Sequence, residues 1–474
     1  MKTAPTTNAF ITKISRNVMS QLRPTAAEKA AMEKFSAKLL KVAEPAAKPY
    51  RAKPMLCGSV AKNTWLASKN ELDVFLLFNH SVPRDQLERH GMALAKEIME
   101  EIKGTARIAY AEHPYLTGVV SDGSGTFKID LVPCYDVPDP SKIKSAVDRT
   151  PHHVRYVKAN LKMPDDVRLL KAFAMAGGVY GADVMTQGFS GYLCELLVLN
   201  YGMFSDVVTA AADWHAGIAV DLKGKVAANV REKFHAPLIV IDPVDPNRNV
   251  AAAVAPETFY RFVRFCRDFL RKPTISFFSK PVVKPYTVPE IAKQIRSRGT
   301  RWYIVSFKRP NVVDDILWPQ MRRCLDVLQT KLHEADFEVL RRGVWADEQR
   351  CVLVIEMKEW LLPRIDKNVG PNIYSKHASD FLKHYKENKI YVDGDNWIVE
   401  VPHKHIAALF FLKDMLGRPE KDLLKAGIPT KLASEMTNAT IAAGGDALKE
   451  MEKLPEQFRA WIRSWFETDL NVSD

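Results

Sequence analysis

The chain has 474 residues, 47% of them hydrophobic and 26% charged, so it reads as globular, with roughly two to four domains. No apolar run approaches the roughly 20 residues of a membrane-spanning helix, which excludes an integral helical membrane protein. The formal net charge of +12 is compatible with a nucleic-acid partner, since excess positive charge attracts phosphate backbones, but does not require one.

Residues 1–27 carry Lys2, Lys13, Arg16 and Arg23, several Ser and Thr, and no acid. That composition fits an organellar transit peptide. It also fits a short leader into an amphipathic helix near 26–43, the reading adopted because no cleavage pattern follows an apolar core. A short strand near 53–57 and a turn with a helix start at Gly58-Ser59 come next. Residues 72–78, Leu-Asp-Val-Phe-Leu-Leu-Phe, form a buried-strand run. A helix is expected over 84–103, with strands near 105–111 and 117–120. Residues 126–132 alternate as a strand does and are expected to end at Pro133. Helices follow over 165–177, 188–201, 204–213 and 257–271, with a strand near 237–242 before a turn-rich loop. The Pro-rich stretch Lys272–Pro289 reads as a boundary. Beyond it come a strand (301–307), a helix (317–334), strands at 338–344 and 350–357, and a hairpin over 389–401. The six cysteines, 57, 134, 194, 266, 324 and 351, show neither a C-x-x-C spacing nor a Cys/His cluster suited to zinc. They are expected to be buried, reduced thiols of a cytoplasmic protein.

The chemistry is carried by Glu71-Leu-Asp73 at the start of the apolar strand. Residues i and i+2 of a strand face one side, so the two carboxylates project together. Burying them without a partner is costly, and hard oxygen ligands suit magnesium. Asp130 lies on the polar face of its strand with Thr126 and Lys128. If that strand pairs beside 71–78, three carboxylates converge on a metal site. Gly58 and Ser59 offer a turn and helix start that favour an anion, and Lys62 stands one helical turn on. This combination points to a polymerase-beta-type nucleotidyltransferase.

Gly-Ser-Val-Ala-Lys-Asn-Thr-Trp-Leu (58–66) followed by Glu-Leu-Asp-Val-Phe-Leu-Leu-Phe (71–78) resembles the archaeal, class I CCA-adding enzymes. So do Tyr-Ala-Glu-His-Pro-Tyr (110–115), Ile-Asp-Leu-Val-Pro-Cys-Tyr (129–135), Ser-Ala-Val-Asp-Arg-Thr-Pro (145–151) and Gly-Phe-Ser-Gly-Tyr-Leu-Cys-Glu-Leu-Leu (188–197). Asp-Pro-Val-Asp (242–245), Arg-Asn-Val-Ala-Ala (248–252) and, past the linker, Val-Val-Asp-Asp (312–315) continue it. The likeness covers residues 45–360 well and the remainder loosely. The Arg-Arg-Asp and Glu-Asp-x-x-Arg motifs of the class II enzymes are absent from the sequence.

The resemblance implies an α+β multidomain protein. Its parts would be a polymerase-beta-like nucleotidyltransferase head (1–152), a helical neck (153–271), a small mixed α/β, ferredoxin-like body (272–362) and a tail (363–474). It implies addition of C, C and A to the tRNA 3′ end from CTP and ATP without a template, and, more loosely, a homodimer. Glu71, Asp73 and Asp130 match metal ligands, with magnesium as cofactor. Ser59 and Lys62 match triphosphate contacts, although many relatives carry Arg at the position of Lys62, which has a bidentate fork that lysine lacks. His153, Lys171 and Tyr180 match contacts to triphosphate and sugar, and Arg248 matches the arginine that reads the incoming base. On the residues alone each has a plain structural reading. His153 could stack in a turn, Lys171 could be a border lysine covering apolar surface, Tyr180 could be a core ring, and Arg248 could pair with Asp245. Glu195, in an apolar helix, is read as structural.

Overall fold

The apolar runs near the N-terminus assemble into one mixed sheet. In the computed structural model, which describes residues 5–110, 113–224, 229–280 and 283–467, the chain divides into two units, Met1–Pro281 and Val282–Ser473. Residues 1–4 of the basic leader, residues 111–112 of the 110–115 motif and the C-terminal residues from 468 lie outside the described residues.

The first unit opens with helix α1 (Pro5–Leu22) and helix α2 (Ala26–Ala47). The leader is therefore largely a helix of its own. Thr25 and Glu28 close a capping box at the start of α2, the Glu28 N–H donating to Thr25 Oγ1 at 3.1 Å, which satisfies otherwise orphaned amides. Strand β1 (Lys53–Cys57), the single turn α3 (Gly58–Ala61), β2 (Glu71–Asn79), α4 (Arg84–Glu101), β3 (Thr105–Tyr110), β4 (Pro114–Asp122) and β5 (Gly125–Asp136) follow. Their sheet has the order β1-β2-β5-β4-β3, with β2 and β5 parallel and the other pairs antiparallel. Met32, Phe35, Leu39 and Ala43 of α2 pack on the face formed by Leu72, Val74, Leu76, Phe127, Ile129 and Leu131. Phe35 stacks on Phe127 with ring centres 4.1 Å apart.

The strand expected to stop at Pro133 runs on to Asp136. Its partner β4 pairs only as far as Leu131, so beyond that point one side of β5 is an edge, where a residue without an N–H is tolerated. Pro133 remains in register with Leu76 of β2.

Helices α5 (Thr150–Asn160), α6 (Pro164–Ala176), α7 (Gly191–Tyr201) and α8 (Phe204–Ala211) come next. Strand β6 (Ile218–Asp221), the turn α9 (Val230–Phe234), β7 (Leu238–Ile241) and α10 (Pro256–Arg271) complete the unit. Their core is aromatic, with Phe173, Phe189, Phe204, Phe259, Phe262 and Phe269 all buried. Arg168 of α6 ties this half to the sheet. Although almost fully buried, it donates to Trp65 O, Asn63 O, Asn63 Oδ1 and Asp165 Oδ1 at 2.7–2.8 Å. A buried guanidinium is tolerable only when so satisfied, and the bonds fix the loop that follows α3.

The second unit comprises α11 (Val288–Arg298), β8 (Arg301–Lys308), α12 (Asp314–His333), β9 (Glu338–Ala346), β10 (Arg350–Glu359), β11 (Ile365–Asn372), α13 (Ala378–His384), β12 (Lys389–Asp393) and β13 (Asn396–Pro402). Helices α14 (Ala408–Leu416), α15 (Glu420–Lys425) and α16 (Thr430–Met436), strand β14 (Thr440–Ala443), and helices α17 (Gly445–Glu452) and α18 (Glu456–Phe466) end it. One antiparallel sheet has the order β14-β8-β10-β9, and a second the order β11-β13-β12. Strands β11 and β14 were not foreseen from the sequence. All six cysteines are free and buried. Among the described residues no single helix is long and apolar enough to cross a membrane.

Candidate active site

Asp73 and Asp130 are cross-strand neighbours. The parallel pairing of β2 with β5 places them directly opposite each other, on the face away from α2. Cys57, the last residue of β1, is opposite Asp73 on its other side, and the chain then turns over the carboxylate at Gly58. The φ of Gly58 is +64°, and a Cβ there would lie 1.7 Å from Asp73 Oδ2. Only glycine can both adopt that backbone and leave room for the oxygen.

The three acids differ in their partners. Thr117 on β4, opposite Asp130, donates its hydroxyl to Asp130 Oδ1 at 2.5 Å. Glu71 is exposed, and its carboxylate lies 3.8 Å from Lys128 Nζ. Asp73 receives no side-chain hydrogen bond among the described residues. Burial, then the charges of Asp130 and Glu71, raise its carboxyl to about 6, against a weaker opposing pull from Lys62 and Lys128. Two carboxylates side by side with so little compensation form an all-oxygen donor set suited to a hard divalent cation. Among the described residues, the carboxylate oxygens of the three acids do not all lie within 4.8 Å of one another; a set that does, Asp336, Asp366 and His403, lies in the second unit.

Beside the acids sits a cluster of buried cations. Ser59 lies in α3, and its carbonyl accepts from the Thr64 N–H at 2.9 Å, which closes the turn. Lys62 Nζ donates to Glu195 Oε2 at 2.6 Å, and Thr64 Oγ1 donates to Glu195 Oε1 at 2.7 Å. Lys171 Nζ donates to Thr64 O at 3.0 Å and to Thr64 Oγ1 at 3.2 Å, and lies 4.0 Å from Glu195. Lys171 is buried, so it is no border lysine. Tyr180 joins it over Gly191, where a Cβ would come within 3.2 Å of the Tyr180 hydroxyl and 3.6 Å of Lys171 Nζ. Burial, followed by the nearby Cys194, Glu195 and Glu71, keeps the Tyr180 phenol protonated.

A second polar cluster centres on Asp242, fully buried just after β7. Its Oδ2 accepts from His153 Nε2 and from Arg248 Nη1, each at 2.9 Å. Its Oδ1 accepts from the Tyr192 hydroxyl at 3.1 Å and the Val244 N–H at 3.0 Å. Burial opposes ionisation, but these donors, His153 first, hold the carboxyl well below the usual range. Burial also depresses His153, against the pull of Asp242, so the neutral ring donates from Nε2. Arg248 pairs with Asp242 rather than Asp245, which takes Arg149 instead at 2.9 Å. A hollow of about 460 Å³ borders Arg248, Arg149, Ser190 and Asn247. Tyr192 links the clusters, stacking on His153 at 3.9 Å with Lys62 Nζ 5.8 Å from its ring centre.

The structure thus gathers Ser59, Lys62, Lys171 and Tyr180 on one side and His153 and Arg248 on the other. Thr64, Tyr192 and Asp242, which the sequence did not single out as candidates, bond within these clusters, and Glu195, read from the sequence as structural, is buried and paired with Lys62 and Thr64. Tyr192 and Glu195 are three residues apart on one face of α7, a polar pair in an apolar helix that could have flagged both.

Two family models match the chain: "tRNA nucleotidyltransferase, second domain" over residues 165–279 and "CCA-adding enzyme, C-terminal domain" over residues 298–424. A CCA-adding enzyme of Methanosarcina acetivorans is 35% identical, over 94% of this chain and 97% of its own. One of Methanoregula boonei is 39% identical, over 82% of this chain and 83% of its own. Among solved structures, the RNA terminal uridylyl transferase Cid1 superimposes with a TM-score of 0.46 at 14% identity, over 58% of this chain and 99% of its own.

Proposed function

The chain belongs to the CCA-adding enzyme family, and from that premise we propose how its residues add C, C and A to the 3′ end of tRNA. Nucleotides come from CTP and ATP without a template, and pyrophosphate leaves. The observation that carries the assignment of residues is the in-register pair Asp73 and Asp130, under-compensated and within electrostatic reach of Lys62.

Asp73 and Asp130, with Glu71 beside them, would hold the divalent cation, which we take to be magnesium. Bound there, magnesium would lower the pKa of the attacking tRNA 3′ hydroxyl and offset charge developing on the α-phosphate. Ser59 and Lys62 meet the triphosphate from the turn after β1, and Lys171 meets it from α6. Tyr180 and His153 contact phosphate and sugar as neutral hydrogen-bonding groups. Arg248, held by Asp242, presents its remaining donors to acceptors on cytosine and adenine. The 3′ hydroxyl attacks the α-phosphate in line, opposite the leaving pyrophosphate.

The parts we assign are a catalytic head (1–152), a helical neck (153–271), an α/β body (272–362) and a tail (363–474). The order β14-β8-β10-β9, with α12 after the first strand and every pair antiparallel, supports a ferredoxin-like body completed by a strand from the tail. A cytoplasmic location is supported by six free, buried thiols.

The test is incubation of the purified chain with magnesium, CTP, ATP and tRNA lacking its CCA end. The expected product is longer by three nucleotides and then stops. A chain that ignored CTP or extended without stopping would be a poly(A)- or oligoadenylate-type polymerase, and one that transferred nothing to any RNA would be a non-catalytic RNA binder.

A further inference from the structure

Glu195 is fully buried on α7, a helix whose other inward positions are Leu193, Cys194, Leu196, Leu197 and Val198. A carboxylate at such depth is costly unless it is paired and hydrogen-bonded. Here it is both, through Lys62, Thr64 and the more distant Lys171. The two lysines are themselves nearly inaccessible, with side-chain exposures of 10% and 4%. Two ammonium groups at that depth repel each other and need an anion between them to stay charged and aimed. We propose that Glu195 is a positioning residue for the nucleotide: it holds Lys62 and Lys171 as a charged pair and shares Lys62 with the triphosphate when ATP or CTP binds. The inference rests on reading Lys62 and Lys171 as triphosphate contacts.

The electrostatics around Lys171 give the inference a readout. Burial pushes its amine below the ordinary value, Glu195 works against that, and Lys62 and Arg168 push it further down. Cys194 and Tyr180 also face it, both kept neutral by burial. Glu195 is thus the charge that does most to keep Lys171 protonated. Without it, Lys171 loses its proton at a lower pH, and triphosphate affinity fails first on the alkaline side. A side chain that merely filled space would produce no such asymmetry.

The experiment measures ATP binding to the full chain in magnesium without tRNA, by equilibrium dialysis from pH 6.5 to 9. It is paired with kcat and KM for nucleotide addition. In Glu195→Gln the Kd for ATP should rise about tenfold or more at alkaline pH and much less at pH 6.5, with KM following and kcat nearly kept. Glu195→Asp should recover part of the loss. Thr64→Val, which removes one donor to Glu195 and one acceptor from Lys171, should move the profile the same way by less, and Glu195→Asp carries the test if the glutamine variant does not fold. Unchanged pH profiles in the folded variants, a pH-independent fall in kcat, or tighter ATP binding at every pH would each overturn the proposal. Wild-type protein that bound ATP but did not extend tRNA would instead overturn the assigned reaction and leave the role of Glu195 standing.

Discussion

Asp73, which we assign to the metal site, works against the fold that carries it. An aspartate at its ordinary value is ionised in the unfolded chain above about pH 4, whereas in the folded protein it holds its proton up to about 6. As pH rises between those values, the folded state must surrender a proton that the unfolded chain has already lost, so stability falls across that window. The shift corresponds to a penalty on the order of 2–3 kcal/mol at neutral pH. Asp73→Asn should therefore raise the melting temperature of the metal-free protein by several degrees at pH 7.5 while lowering nucleotide addition ~1,000-fold or more, the scale of losing a preorganised contact with developing charge. Magnesium should raise the wild-type melting temperature and not that of the variant. Near-normal turnover by Asp73→Asn would remove the carboxylate pair from the mechanism. The acids were legible as residues, because an acidic pair opening an apolar strand is anomalous. Their unequal bonding was not, since Thr117 and Lys128 become neighbours of Asp130 and Glu71 only through strand pairing.

The segment after β7 is built to hold one side chain. Asn249 Oδ1 accepts the N–H groups of Val240 and Ala251, and its amide donates to Leu238 O. The Asp242 N–H bonds back to Arg248 O at 3.1 Å. With the backbone pinned at both ends and the Asp242 carboxylate on its guanidinium, Arg248 has little freedom. A charge-assisted hydrogen bond is worth about 1.5–3 kcal/mol, roughly ten- to a hundredfold. Arg248→Ala should lower the preference for CTP and ATP over UTP by that factor in misincorporation assays, and should also lower the melting temperature, because the buried Asp242 carboxylate loses its guanidinium partner. Selectivity equal to wild type would assign base choice to the RNA or to another residue.

Elements with a strong period were the readable ones, such as β2 and α2. Helix α1 was hidden because its Ser, Thr and basic residues match a leader as well as a helix. Strand β11 carries Asp366, Asn368, Gly370 and Pro371, a poor strand sequence held by pairing with β13. The four-residue β14 owes its existence to β8. Pairings between distant segments leave no local period to read.

At the scale of the molecule, the net charge of +12 acts on the RNA more than on the nucleotide. Phosphate contacts release counterions, so RNA affinity falls steeply with salt. Raising potassium chloride from about 50 to 200 mM should increase KM for tRNA by tenfold or more, with a much smaller change in KM for ATP, because the lysines we assign to it are buried. A flat salt response for tRNA would mean that the charge excess is not used for the RNA.

The carboxylate pair also has a history within each molecule's synthesis. Asp73 and Asp130 belong to β2 and β5, which meet only after α4 and the β3–β4 hairpin have been made between them. Pairing of such distant segments forms late, because closing the intervening loop must precede any gain from the contact. Until β5 docks, the nascent chain carries half of the pair and none of its geometry. On the role we propose for the pair, competence to transfer nucleotides arrives with the completed sheet, and a chain arrested before that point lacks the geometry to extend RNA.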